Sequence, residues 1–418
     1  MKSLRINGKR LWSSLMEMGR IGATPLGGSC RLALTDEDKA GRDLFVSWCE
    51  AAGCKVTIDR MGNIFARRFG TDPERLPIVA GSHLDTQPHG GKFDGVYGVL
   101  AALEVVRTLN DHNISTQAPI EIVVWTNEEG SRFAPAMLAS AVFAGVFDLE
   151  YGLNRQDLEG VTVSQELNRI GYAGNTPCGD RQLGAFFEVH IEQGPILERE
   201  QKTIGVVLGG QGSRWYDVKV TGQDAHAGST PMAGRRDALV GSAKLIEAIN
   251  QVALNYPPNA VATVGQFKVS PNSRNTIVGE VNFTIDLRHF DAKILEEMSE
   301  QCQQVCENIS AIMNLKMNFE EVWYQPPVIF NAECINAVRK SCNALKLSHQ
   351  DIVSGAGHDA CLISRVAPTS MIFVPCAGGI SHNELESATP EDLASGCNVL
   401  LQTMLGIAKT QGSFRKQL

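Results

Sequence analysis

Five positions of metal-ligating type stand where the chain leaves an apolar run. His83 lies in Gly81-Ser82-His83-Leu84-Asp85-Thr86, and Asp94 follows eleven residues later in Lys92-Phe93-Asp94-Gly95. Asn127-Glu128-Glu129-Gly130 comes after the run that ends at Trp125. His190 sits in Val189-His190-Ile191-Glu192-Gln193-Gly194, and His382 in Gly379-Ile380-Ser381-His382-Asn383-Glu384. Three imidazoles with two carboxylates suit borderline divalent cations such as zinc, manganese or cobalt. Two cations about 3.5–4 Å apart need a bridging ligand, which a carboxylate with its two oxygens supplies, and Asp94 is the candidate. His83 and Asp85 are two apart and would share one face of a strand. Asp85 is therefore expected to take the second ring proton of His83 and fix its tautomer. Glu128 and Glu129 would point in different directions if extended, one to hold a metal and the other free as general base. Chemistry alone leaves open which is which.

Each feature has a plainer reading when taken singly. A histidine beside a strand is most often simply hydrogen-bonded, paired glutamates usually form a solvated turn, and Asp-Gly is commonly just a turn. The joint occurrence at four strand ends is what argues for a site.

The elements that must position these residues read as follows. Residues 76–82, 119–125, 185–191 and 371–374 are apolar runs of strand length, and Val99, Leu100, Leu103 and Val106 recur at helical spacing. Apolar strands alternating with helices argue for a mostly parallel α/β sheet, in which ligands bind beyond the carboxyl ends of the strands. From residue 213 the pattern changes. Strands at 214–221, 263–269, 278–288 and 316–323 and helices at 237–254 and 292–313 give the order β-α-β-β-α-β of a ferredoxin-like α+β sandwich. After Pro326-Pro327 the α/β pattern resumes and closes on a helix from Pro390. The expected organisation is a catalytic metal-binding domain of residues 1–212 and 327–418, with residues 213–326 inserted.

Composition narrows the class. A chain of 418 residues, 43% hydrophobic and 20% charged, is neither disordered nor fibrous and has room for two domains. A net charge of −8 offers no electrostatic reason to hold nucleic acid or an anionic membrane. No apolar run approaches the roughly 18 residues of a membrane span. Lys2, Arg5, Lys9 and Arg10 imitate a signal sequence, but Ser13, Ser14 and Glu17 break the apolar stretch after them into an amphipathic helix. The eleven cysteines, an odd number without a C-x-x-C pair, read as free thiols of a cytoplasmic protein.

The strings GSHLDT, GGKFDGVYGVLAALEV, TNEEGSRFAPAMLAS, HIEQGPILE, DAHAGSTPM, NSRN, DLRH, SGAGHDA and GGISHNE resemble the amidase, hydantoinase/carbamoylase family. That family is a branch of the dinuclear-metal aminoacylase and carboxypeptidase superfamily, and the likeness runs from about Leu11 to the C-terminal helix. It implies two divalent ions per subunit (zinc, manganese, cobalt or nickel), one held by His83, Asp94 and His190 and the other by Asp94, Glu129 and His382. It makes Glu128 the general base and His226 the donor to the tetrahedral oxyanion. Asn275 and Arg288 would hold the substrate, Arg288 through its carboxylate, with Gln193 and the backbone at Gly357 as the remaining contacts. The inserted domain would serve as lid and dimer interface, making the protein a homodimer in which His226 and Asn275 act in cis or in trans.

Members of this family act on N-carbamoyl-L-amino acids, N-carbamoyl-β-alanine or allantoate. The allantoate enzymes resemble one another in a Gln-Arg pair where this chain has Ser213-Arg214. The expected substrate is therefore a small molecule, an N-carbamoyl-L-amino acid. Allantoate, N-carbamoyl-β-alanine and N-acyl amino acids are the alternatives for the same machinery.

Overall fold

The computed structural model describes residues 4–409. Lys2 and the outermost residues of both expected flanking segments lie outside them. The chain divides into two compact units, residues 1–209 with 329–418 and residues 210–328.

In the first unit, strands Lys55–Ile58, Ile64–Arg68, Ile120–Trp125, Ile78–His83, Ala185–Ile191, Thr369–Val374 and Ile204–Gly210 lie side by side in that order. The middle four run parallel, so their carboxyl ends emerge on one edge. Outside them, the pairing turns antiparallel on both sides. All four parallel strands are buried from end to end, which is why they read as predominantly apolar runs and not as alternating ones. Helix Val96–Asp111 is buried almost all round, from Val96 to Val106. It packs on these strands together with helix Pro390–Lys409. Each fully buried Val, Leu or Ile here contributes roughly 1.5–3 kcal/mol. At the N-terminus, the expected amphipathic helix spans Gly8–Met18 and buries Leu11, Leu15 and Met18.

The second unit has strands Phe267–Ser270, Glu280–His289, Gly212–Thr221 and Lys316–Gln325 in that order, all antiparallel, with Val261–Thr263 also paired to Glu280–His289. Helices Ala238–Leu254 and Ala292–Ile312 start at aspartate caps, Asp237 and Asp291, whose side chains accept the first backbone N–H groups. The β-α-β-β-α-β order and this strand arrangement are those of a split βαβ sandwich. Strict alternation in Glu280–His289 turns Val281, Phe283, Ile285 and Leu287 into the core and leaves Asp286 and Arg288 on the other face. The single strand expected at 263–269 is instead two, Val261–Thr263 and Phe267–Ser270. Between them the backbone N–H of Gln266 bonds the Thr284 hydroxyl at 3.2 Å rather than continuing the ladder. Among the described residues, no helix is long and apolar enough to cross a membrane.

Candidate metal centre

Strand register brings the first two imidazoles together. Ile78 pairs with Ala185 in a parallel ladder, so five residues on His83 is level with His190, and their ring centroids are 6.3 Å apart. Asp94 arrives from the turn that opens helix Val96–Asp111. Gly95 caps that helix at φ +66°, and a Cβ there would run into the His83 ring. Only glycine satisfies both constraints. Glu128 and Glu129 follow strand Ile120–Trp125 through Asn127, itself at φ +58° and held by a 2.7 Å bond from its amide to the Phe133 carbonyl. His382 stands at φ +52° in the loop after strand Thr369–Val374, with 52% of its side chain exposed.

Asp94 lies at the centre. Its Oδ1 is 3.1 Å from His190 Nε2 and 3.6 Å from His83 Nε2. Its Oδ2 is 3.3 Å from His382 Nε2, which is also 3.3 Å from Glu129 Oε2. Two ligand groups result, His83–Asp94–His190 and Asp94–Glu129–His382, the ligand atoms of each lying within 4.8 Å of one another. The Nδ1 atoms of His83 and His190 lie 2.9 Å from the carbonyls of Asp85 and Ile191. The Nδ1–H of each is thereby committed, and the Nε2 atoms face inward. This donor set fits two borderline divalent cations sharing a carboxylate. Glu188, His190 and His358 form a third group. There the Glu188 oxygens already accept from the Ser82 hydroxyl at 2.6 Å and the Ala360 N–H at 3.0 Å.

The electrostatics show a cluster short of positive charge. Burial works against the Asp94 anion, but hydrogen bonds from His190, His382 and His83 outweigh it and hold that carboxyl well below the usual range. Burial, reinforced by Asp359, Glu129 and Asp94 against the opposing pull of His83, drives Glu128 well above it. Burial and then the Asp94 carboxylate push Glu129 up to about 7. His83 is raised as well: burial disfavours its imidazolium, and the surrounding carboxylates, Glu128 foremost, prevail. Cations would relieve this crowding directly. Glu128 belongs to neither principal ligand group, and its Oε2 is 3.5 Å from His83 Nε2.

The expected role of Asp85 needs correction. The strand ends at His83, so the two residues do not share a strand face. The Asp85 carboxylate is 3.9 Å from His83 Nδ1, and the ring bonds the Asp85 backbone carbonyl instead. The carboxylate accepts the backbone N–H groups of Glu128 and Glu129 at 3.3 and 3.2 Å.

The other candidates are placed as follows. Gln193, at φ +56°, donates its amide to Asp94 Oδ2 at 2.8 Å. Gly357 lies against Met137, whose N–H bonds the Glu128 carbonyl. In the second unit, His226 pairs with Thr276, and the Ala227 N–H bonds the Asn275 carbonyl, so His226 and Asn275 are neighbours, both exposed. His226 Nδ1 accepts from the backbone N–H of Gly228 and Ser229, each at 3.1 Å, which puts the proton on Nε2 as an outward donor. Arg288 Nη2 is 2.8 Å from Asp286 Oδ2, and Ser213 is directly opposite Arg288 in the ladder.

Sequence reasoning passed over four side chains. Gln87 binds Glu129 through both its backbone N–H (3.1 Å) and its amide (2.8 Å). Ser381 and Glu386 support Asp94, and Glu188 lies two residues before His190 in the same strand. That period-2 spacing was the one available signal for Glu188; the other three carry none.

A model of peptidase family M20/M25/M40 matches residues 79–406. The chain is 50% identical over 405 residues to the N-carbamoyl-L-amino-acid amidohydrolase of Rhizobium meliloti, covering 97% of each. It is 33% identical over 393 residues to the allantoate amidohydrolase of Escherichia coli (strain K12), covering 94% of this chain and 96% of that one. The crystal structure of an amidase of the hydantoinase/carbamoylase family from Burkholderia multivorans matches with a TM-score of 0.95 at 58% identity, covering 97% of this chain and 99% of that one.

Proposed function

The chain belongs to peptidase family M20/M25/M40, among its hydantoinase/carbamoylase amidases, and from that premise we propose that this amidohydrolase cleaves the carbamoyl amide of N-carbamoyl-L-amino acids. The products are the L-amino acid, ammonia and carbon dioxide. The observation that carries the reading is Asp94 facing His83 and His190 with one oxygen and His382 with the other, while Glu128 stays outside both ligand groups.

His83, Asp94 and His190 would hold one divalent ion and Asp94, Glu129 and His382 the other, as zinc, manganese, cobalt or nickel. Bound there, the ions would acidify a water and polarise the ureido carbonyl. Glu128 takes a proton from the attacking water and returns it to the leaving amine, and its burial favours the form that carries the proton between the two steps. His226 donates Nε2–H to the oxyanion, a kind of contact often worth about 2.7–4 kcal/mol of barrier. Arg288 takes the α-carboxylate bidentately by exchanging its Asp286 partner for substrate, with Asn275 beside His226 and with Gln193 and Gly357 completing the contacts. Residues 213–326 act as lid and dimerisation domain of a homodimer. Eleven unpaired cysteines fit the reducing cytoplasm.

The test is ammonia release by chelator-stripped enzyme reloaded in turn with zinc, manganese, cobalt or nickel. The panel holds N-carbamoyl-L-amino acids, N-carbamoyl-β-alanine, allantoate and N-acyl amino acids. No turnover without metal, and fastest turnover on carbamoylated L-amino acids, is the expected result. Activity confined to allantoate would overturn the substrate assignment.

A further inference from the structure

One buried carboxylate outside the principal ligand groups ties the loop that carries His382 to the loop that carries Asp94. Glu386 is 3% exposed. Its Oε1 accepts the backbone N–H groups of Phe93 at 2.9 Å and Asp94 at 3.1 Å. Its Oε2 accepts the Ser381 hydroxyl at 2.8 Å, and that hydroxyl is also 3.0 Å from Asp94 Oδ2, the oxygen that faces His382. Gly91 makes room for this arrangement, since a Cβ there would run into the Glu386 carboxylate. The two N–H groups would be left buried and unpaired without it.

His382 depends on this support more than the other two imidazoles do. His83 and His190 end or nearly end buried strands, and their Nδ1 atoms rest on backbone carbonyls. His382 is half-exposed on a loop in a left-handed conformation, and among the described hydrogen bonds no carbonyl receives its ring. Its placement relative to Asp94 therefore passes through its neighbour Ser381 and through Glu386.

We propose that Glu386 is the positioning residue of the second cation site, Asp94–Glu129–His382, registering the His382 loop on the Asp94 turn and so setting the affinity of that site above all. This rests on the two-cation reading given above, and the experiment separates the two. The full-length chain, stripped with chelator, is titrated with Mn²⁺, and the free ion is counted by electron paramagnetic resonance. His382→Ala is the control: if it still takes up two ions as the parent does, the two-cation reading fails whatever Glu386 does.

With that control reduced to one ion, Glu386→Ala is expected to weaken the second ion about 10–100-fold and the first by less than about threefold. Glu386→Gln keeps an acceptor for both N–H groups, and its amide can donate to Ser381, so it should recover most of the second-site affinity. Ser381→Ala should weaken the second ion in the same direction, and Ser381→Ala added to Glu386→Ala should do no further harm, because the two act through one network. Parent-like affinities in Glu386→Ala, or an equal loss at both sites in a chain with the parent's circular dichroism, would overturn the proposal. If Glu386→Ala does not fold, Ser381→Ala decides: an unchanged second ion overturns the proposal and a weakened one supports it.

Discussion

Asp85 holds Glu129 by its backbone: Asp85 Oδ2 accepts the Glu129 N–H at 3.2 Å, while Oδ1 takes that of Glu128 at 3.3 Å. One buried carboxylate thus sets the turn from which a proposed ligand and a proposed general base both project. The ring of His83 is oriented separately, by the Asp85 carbonyl.

Asp85→Asn should therefore be damaging although it preserves size. Its amide NH₂ would face one of two backbone N–H donors, leaving a buried donor unpaired at a cost of about 1–3 kcal/mol. The expected loss in kcat/KM is about 10–100-fold, with Asp85→Ala no better. Steady-state kinetics on the metal-loaded enzyme check this, and parent-level kcat/KM in Asp85→Asn would contradict it.

Glu128→Gln should lower kcat by about 10²–10⁴-fold while leaving cation binding intact, because Glu128 is in neither principal ligand group. Kinetics paired with metal analysis of the same preparation distinguish this from loss of a ligand. Unchanged turnover would remove Glu128 from the mechanism.

Glu129 makes the metal-free chain sensitive to pH. Its carboxyl is pushed up to about 7, by burial first and the Asp94 carboxylate second, from about 4.3 in an unfolded chain. Between those values the folded chain keeps a proton that the unfolded chain has released. Its contribution to stability therefore falls as pH rises through that window, by at most about 1.4 kcal/mol per pH unit. Metal-free Glu129→Gln, which cannot ionise there, should gain on the metal-free parent between about pH 5 and pH 7. Urea denaturation across that range measures the gain, and a constant difference would refute the assignment.

Arg42→Met should destabilise the fold by about 3–5 kcal/mol. Arg42 and Asp38 are both wholly buried and 2.8 Å apart. Arg42 also donates to the Gly62 carbonyl at 2.8 Å and to the Thr126 hydroxyl at 3.2 Å, next to the Asn127-Glu128-Glu129 turn. Removing the guanidinium leaves the Asp38 charge unpaired in the interior. A shift in urea midpoint of that size, at unchanged slope, is the measurement.

Much of the architecture was legible because burial writes itself into composition. Ala185–Ile191 is apolar except for Glu188 and His190 since both its faces are covered, and helix Ala238–Leu254 announces its start with Asp237. The short hairpin of Lys55–Ile58 and Ile64–Arg68 carries too little periodicity to read, with four residues in one strand and five, ending in Arg67-Arg68, in the other. Strand 263–269 reads as one element, whereas in the structure the ladder is interrupted where the Gln266 N–H meets the hydroxyl of Thr284, eighteen residues away. Glu386 carries no signal in the sequence, for its partners Phe93 and Asp94 are almost three hundred residues away in the chain.

The amino-acid sequence by itself determined which groups could ligate a metal and that they would cluster: five candidates at the ends of apolar strands must meet if those strands run parallel. It also determined the two-part organisation, since hydrophobic period and element order change together near residue 213. Only the tertiary structure decided how the groups share their work. That Asp94 offers one oxygen to His83 and His190 and the other to His382, that the Asp85 carboxylate steadies a backbone turn and not a ring, and that Glu386 joins two distant loops all depend on distances of about 3 Å between residues apart in the chain. Hydrogen-bond geometry at that range is set by packing, and packing leaves no period in the sequence to read.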